Sequence, residues 1–246
     1  MGMWLPGGRR LLPVLLAAVA LGEPVWAAGT QLALVKNPGR ALPHYRNSHA
    51  TAVGCWLDLA GLRRPGEDDR TLIATAAVVM EFCACDRPGD PTAWRVREGL
   101  QQLLGSRDRA APIEERARYS HVAEERADFS AYARSIEAGV PVIVTFCYDP
   151  DARPSLQEAA LRISECASAV GVGYAVADGQ RYLVCHDGAP PPESDPGQVD
   201  RARAEDLALP EVPLLKQPGT ALYRWDGTYA NLVMTFVKAP GTQAGP

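Results

Sequence analysis

Histidine is scarce in this chain: four residues, His44, His49, His121 and His186, among 246. The one close cysteine pair, Cys83-Ala-Cys85, has no matching second pair. A structural zinc site needs a tetrahedral set of such ligands at paired spacing, so no metal site and no cofactor are expected. Positive charge is also short. Lys and Arg together number 25 against 29 Asp and Glu, a net charge of −4, which speaks against a nucleic-acid partner. No internal repeat is present, and only one long hydrophobic run, at the N-terminus.

That run reads as a leader. Arg9-Arg10 precedes "LLPVLLAAVALG", and Val25 and Ala27 are small residues suited to cleavage after Ala27. Glu23-Pro24 breaks the run, and it is short for a spanning helix. Residues 1–27 are therefore expected to be a signal peptide. The protein is expected to be secreted or periplasmic, with no membrane attachment after cleavage. Export makes disulfides the expected state for some of the six cysteines, Cys55, Cys83, Cys85, Cys147, Cys166 and Cys185, without choosing their pairing.

The remaining chain is long enough for one sizeable core. Residues 28–47 read as an irregular arm with a short strand at "LALVK". Ser48 suits an N-cap, and the apolar spacing of Ala52, Cys55, Trp56 and Leu59 predicts a helix over 49–62. Asp68-Asp69 opens a second helix. Pro91 and Gly105 bracket a third, and Gly139 closes a fourth over "DFSAYARSIEAG". "RYSHVAEE" reads as a short strand and "VPVIVTFCY" as a buried one. "SLQEAALRISE" reads as a short helix. Asp178-Gly179 between two apolar runs predicts a hairpin. Residues 189–220 read as a long acidic loop with one helical turn, and two strands flank Asp226-Gly227. Helices first and strands after them predict an α+β domain over 48–240, with helices packed on an antiparallel sheet. Residues 241–246 read as a disordered tail.

Four segments carry a family likeness: "TAVGCWLDLAGL", "GDPTAWRVREGLQQLL", "FSAYARSIEAGVPVIVTF" and "ASAVGVGYAVADGQRYLVCHDG". In this order the chain resembles the papain-like cysteine peptidases, and within them the bacteriocin-processing-peptidase-like branch. The resemblance implies a papain-like fold. It also implies a Cys at a helix start, a His on one strand, an Asn or Asp on the next, and a Gln before the Cys to bind the oxyanion. Counting back from Gly61 places the nucleophile at Ser48. Counting back six residues from Gly173 places the His at Ala167. The orienting acid falls on Asp187, and the Gln position holds Leu42. Only the helper is kept.

A methyl group accepts no proton, and a serine hydroxyl without an adjacent base is a poor nucleophile. A second register, in which Cys55-Trp56 resembles the pair in papain itself, would put His49 in the oxyanion position. His186 sits beside Asp187, so on an extended strand the two face opposite ways. The expectation is an exported pseudo-peptidase that keeps a cleft for a peptide or protein segment. One alternative is an active thiol peptidase using Cys55 with His49 or His186 as base. The other is a disulfide-stapled structural or adhesive domain.

Overall fold

The structure, a computed structural model, describes residues 30–43, 48–81, 92–119, 128–148, 166–188, 201–202, 204–207, 209–227 and 229–238. Among the described residues four helices pack with an antiparallel sheet of eight strands, the α+β arrangement expected. The helices are α1 (Ser48–Leu59), α2 (Asp69–Glu81), α3 (Thr92–Gly105) and α4 (Phe129–Glu137). The strands are β1 (Gln31–Leu34), β2 (Ile113–Tyr119), β3 (Val142–Tyr148), β4 (Cys166–Ala177), β5 (Gln180–His186), β6 (Arg201–Ala202), β7 (Thr220–Arg224) and β8 (Tyr229–Val237). Their spatial order is β2-β8-β3-β4-β5-β7-β6, with β1 paired to the far half of β4.

Local chemistry explains most boundaries. Asp128 caps α4, its Oδ1 accepting the Ser130 N–H at 2.7 Å. Gly139 follows the helix at φ 79°, where a Cβ would be strained. The β4–β5 hairpin turns at Asp178 and Gly179, both at positive φ, as a two-residue turn of the primed type requires. The acidic stretch contributes β6 and two 3₁₀ turns, at Ala204–Leu207 and Pro213–Lys216. Strand β2 overlaps the strand expected at "RYSHVAEE" at Arg118 and Tyr119, and the rest of that stretch lies outside the described residues. The expected helix at 155–165, Cys83, Cys85, His44 and His121 all lie outside the described residues.

The sheet is strongly curled. Two strands separate β3 from β7, which in a flat sheet puts them roughly 14 Å apart. Yet the Phe146 ring of β3 stacks on the Tyr223 ring of β7 at 4.5 Å between centroids. The concave face is thus lined with aromatics, and α4 feeds Phe129 and Tyr132 into the same core. Tyr132 is fully buried and donates its hydroxyl to Gly173 O at 2.7 Å.

One irregularity in β4 matters for the site. Gly171 pairs with Cys185 and Gly173 with Val184, so Val172 is an extra residue, a β-bulge. Both flanking glycines are closely approached. A Cβ on Gly171 would stand 2.3 Å from the Tyr132 hydroxyl oxygen, and one on Gly173 2.6 Å from the backbone oxygen of Ala33 in β1.

The arm and the helices are tied by charge. Arg63 bonds Asp58 at 2.7 Å and Asp69 at 2.8 Å, and Arg40 of the arm reaches Asp69 at 2.6 Å. Glu67 and Arg107 form an almost fully buried pair at 3.0 Å that fastens the α1–α2 turn to the end of α3.

Candidate functional site

Helix α1 is buried along nearly its whole length, from Ala50 to Leu57. Its first turn meets the first residues of β4. The Ser168 N–H donates to Ser48 Oγ at 3.3 Å. Ser168 Oγ lies 2.7 Å from His49 Nδ1 and 2.7 Å from Thr145 Oγ1. A chain of two hydroxyls and an imidazole therefore joins α1, β3 and β4. Ser168 and Thr145 are buried directly opposite one another in the β3–β4 ladder, on the face turned toward α1. The hydroxyl expected to cap α1 thus reaches across to the sheet, and Ser48 is the first helical residue.

Ala167 is adjacent to this cluster but shows its methyl to the other side. It pairs with Phe146, on the concave face. The His position and the nucleophile position come together along the chain but not across one face. The reason is the bulge at Val172. Counting six back from Gly173 crosses an extra residue, and each extra residue reverses the alternation of side chains. The β4 residue that looks toward α1 is Ser168.

Asp187 lies on the concave side with Phe146 and Tyr223. Tyr223 Oη donates to Asp187 Oδ2 at 2.8 Å, and Arg201 Nη2 reaches the same oxygen at 2.9 Å. Arg201 Nε also donates to Tyr223 Oη at 2.8 Å, and its guanidinium lies over the Tyr223 ring. The Asp187 side chain is only 7% exposed. Burial, and then the charge of Asp187, hold the Tyr223 phenol well above its usual range, so it stays a neutral donor. The retained acid is engaged by a phenol and a guanidinium. Sequence reasoning missed both partners, because Arg201 comes from the far end of the acidic stretch and Tyr223 from a different strand.

The remaining candidates are buried. Cys55 is 2% exposed in the middle of α1, and burial pushes its thiol up to about 12. It is no thiolate near neutral pH, which removes the basis for Cys55 as a nucleophile. Leu42, at the oxyanion-donor position, is core at 1% exposure. His186 is 2% exposed and does face away from Asp187, as alternation requires. Its Nε2–H donates to Pro38 O at 2.7 Å, and Nδ1 is 3.1 Å from Thr220 Oγ1. Burial lowers its pKa, so it is a neutral staple between arm and sheet.

Cys147 and Cys166 form a disulfide at the ends of β3 and β4, while Cys55 and Cys185 are free and buried. Among the described residues no cluster of His, Cys, Asp or Glu suits a metal ion, and no helix is long and apolar enough to cross a membrane. Beside Arg201 a groove of about 950 Å³ runs along β6 and β7, with Leu209, Val212 and Leu215 on its apolar side and Thr220 and Ala221 at the strand edge. Strand β6 pairs with Leu222 and Tyr223 of β7. Comparison with known families finds no family model that matches this chain, and comparison with curated proteins finds no match.

Proposed function

We propose that this chain is an exported papain-like domain of the bacteriocin-processing-peptidase-like branch that has lost peptidase chemistry and keeps a groove for an extended peptide. The single observation that carries this reading is the engagement of Asp187 by Tyr223 and Arg201. In an active enzyme the acid orients an imidazole. Here a neutral phenol takes that place, and the neighbouring Ala167 offers no proton acceptor.

The seating of α1 on the start of β4 supports the same reading at the level of the scaffold, since such peptidases pack the nucleophile helix against the strand that carries the base. The edge of β7 and the adjoining groove suit a polypeptide. Apolar side chains beside a strand edge, as line this groove, take the side chains of an extended peptide. The leader at 1–27 places the domain outside the cytoplasm on this reading.

The test incubates the mature protein with a mixed peptide library, with and without a thiol-reactive inhibitor. Peptide retention without cleavage is expected, and Leu209→Glu in the groove should abolish the retention. Inhibitor-sensitive turnover that a single Cys→Ala change removes would overturn the proposal.

A further inference from the structure

The Cys147–Cys166 disulfide lies close to the α1 junction. The two residues are directly opposed in the β3–β4 ladder, so their sulfurs share the face of Thr145 and Ser168. Cys166 is two residues from Ser168 on that face, a separation of roughly 6.6 Å along the strand. Ser168 holds the His49 imidazole at 2.7 Å, and His49 lies in the first turn of the 12-residue α1, where the helix dipole is positive. The two residues are not equally exposed. Cys147 is 6% exposed and Cys166 is half-buried.

We propose that Cys166 is a thiol-exchange site, at which a low-molecular-weight thiol opens the disulfide beside His49 and becomes attached. In the first step the incoming thiolate attacks Cys166 Sγ in line with the S–S bond. That bond breaks, its electron pair goes to Cys147 Sγ, and Cys147 takes up the proton released by the incoming thiol. The product is a mixed disulfide on Cys166 and a free Cys147 thiol. A second thiol then attacks the attached sulfur and leaves as the small-molecule disulfide. The protein disulfide has been reduced by two electrons and two small thiols have been oxidised. The start of α1, with His49 in its first turn, lies on the face of the freed Cys166 and favours its thiolate. Attack falls on Cys166, the more exposed residue of the pair. Cys55 and Cys185 do not compete, because burial keeps both as thiols.

The oxidised full-length mature chain is incubated with reduced glutathione, and its cysteine-containing peptides are mapped by mass spectrometry. The glutathione adduct is expected on the Cys166 peptide. An adduct on Cys147 instead, or one at Cys166 only after denaturation, would overturn the proposal. The role of His49 is read from iodoacetamide labelling of Cys166 in Cys147→Ser. Adding His49→Gln should slow labelling about tenfold, the change in thiolate fraction for one pKa unit; an unchanged rate refutes activation by His49. If Cys147→Ser does not fold, the glutathione map of the unsubstituted chain decides alone.

Discussion

Replacing Asp187 by Asn tests whether this acid serves the fold. The Asp187 side chain is 7% exposed and that of Arg201 18%, so their 2.9 Å contact is poorly screened by solvent. Asparagine keeps an acceptor for the Tyr223 hydroxyl but removes the charge facing Arg201. A hydrogen bond to a charged group contributes about 1.5–3 kcal/mol. We expect destabilisation of about 2–3 kcal/mol. For a domain of this size, each kcal/mol moves Tm by about 2–4 °C, so the midpoint should fall by about 4–12 °C. Far-ultraviolet circular dichroism melts of the mature protein read this directly. Adding Arg201→Gln should restore part of the loss, because it removes the charge that faced Asp187. An acid kept for catalysis makes the opposite prediction. Its removal would leave Tm unchanged or raise it, and that result would refute the structural role argued for Asp187.

Three further outcomes follow from the same geometry. Glu67→Gln strands the buried Arg107 guanidinium and should cost about 3–5 kcal/mol in urea titrations. Burial alone would push the Glu67 carboxyl up, but hydrogen bonds from Arg107 and the Arg64 N–H bring it below its ordinary value. The stability it contributes is present above that ordinary value and is lost as pH falls through the lower folded one, a loss the variant should not show. His186 behaves differently. Its folded pKa is lowered by burial, so the unfolded chain binds the extra proton first, and stability should fall as pH drops below about 6.5. The stability difference between wild type and His186→Gln, followed from pH 7.5 to 5, should shrink with falling pH; a constant difference would count against the neutral staple. Gly171→Ala places a methyl against the Tyr132 ring and should destabilise by about 1–3 kcal/mol, read as a lower urea midpoint.

Much of the fold was legible because its signals are local. Gly139 and the Asp178-Gly179 turn each act within a few residues, and each stands where the sequence places it. Strand β2 was harder to read. Its residues Ile113–Tyr119, "IEERARY", lie at the sheet edge, and their charges hide the apolar alternation that marks a half-buried strand. In the candidate site, the approach of Ser48 to the start of β4 came only with the family resemblance, and the residues alone read Ser48 as a cap. The engagement of Asp187 was not, because Arg201 and Tyr223 reach it only through the curl of the sheet and the pairing of β6 with β7. The facing of Ala167 was hidden by one residue: Val172 interrupts a two-residue period that nothing in "AVGVGY" announces.

The bulge also sets a rule for anyone wishing to build a base back into this scaffold. A histidine grafted at Ala167, where motif counting sends it, would enter the aromatic interior beside Phe146, out of reach of the helix start. Position 168 is the one that addresses α1, and there a new imidazole would first have to displace the contact with His49. Shortening β4 by deletion of Val172 is the other route, since it would bring the two halves of the strand back into phase and exchange the faces of everything upstream.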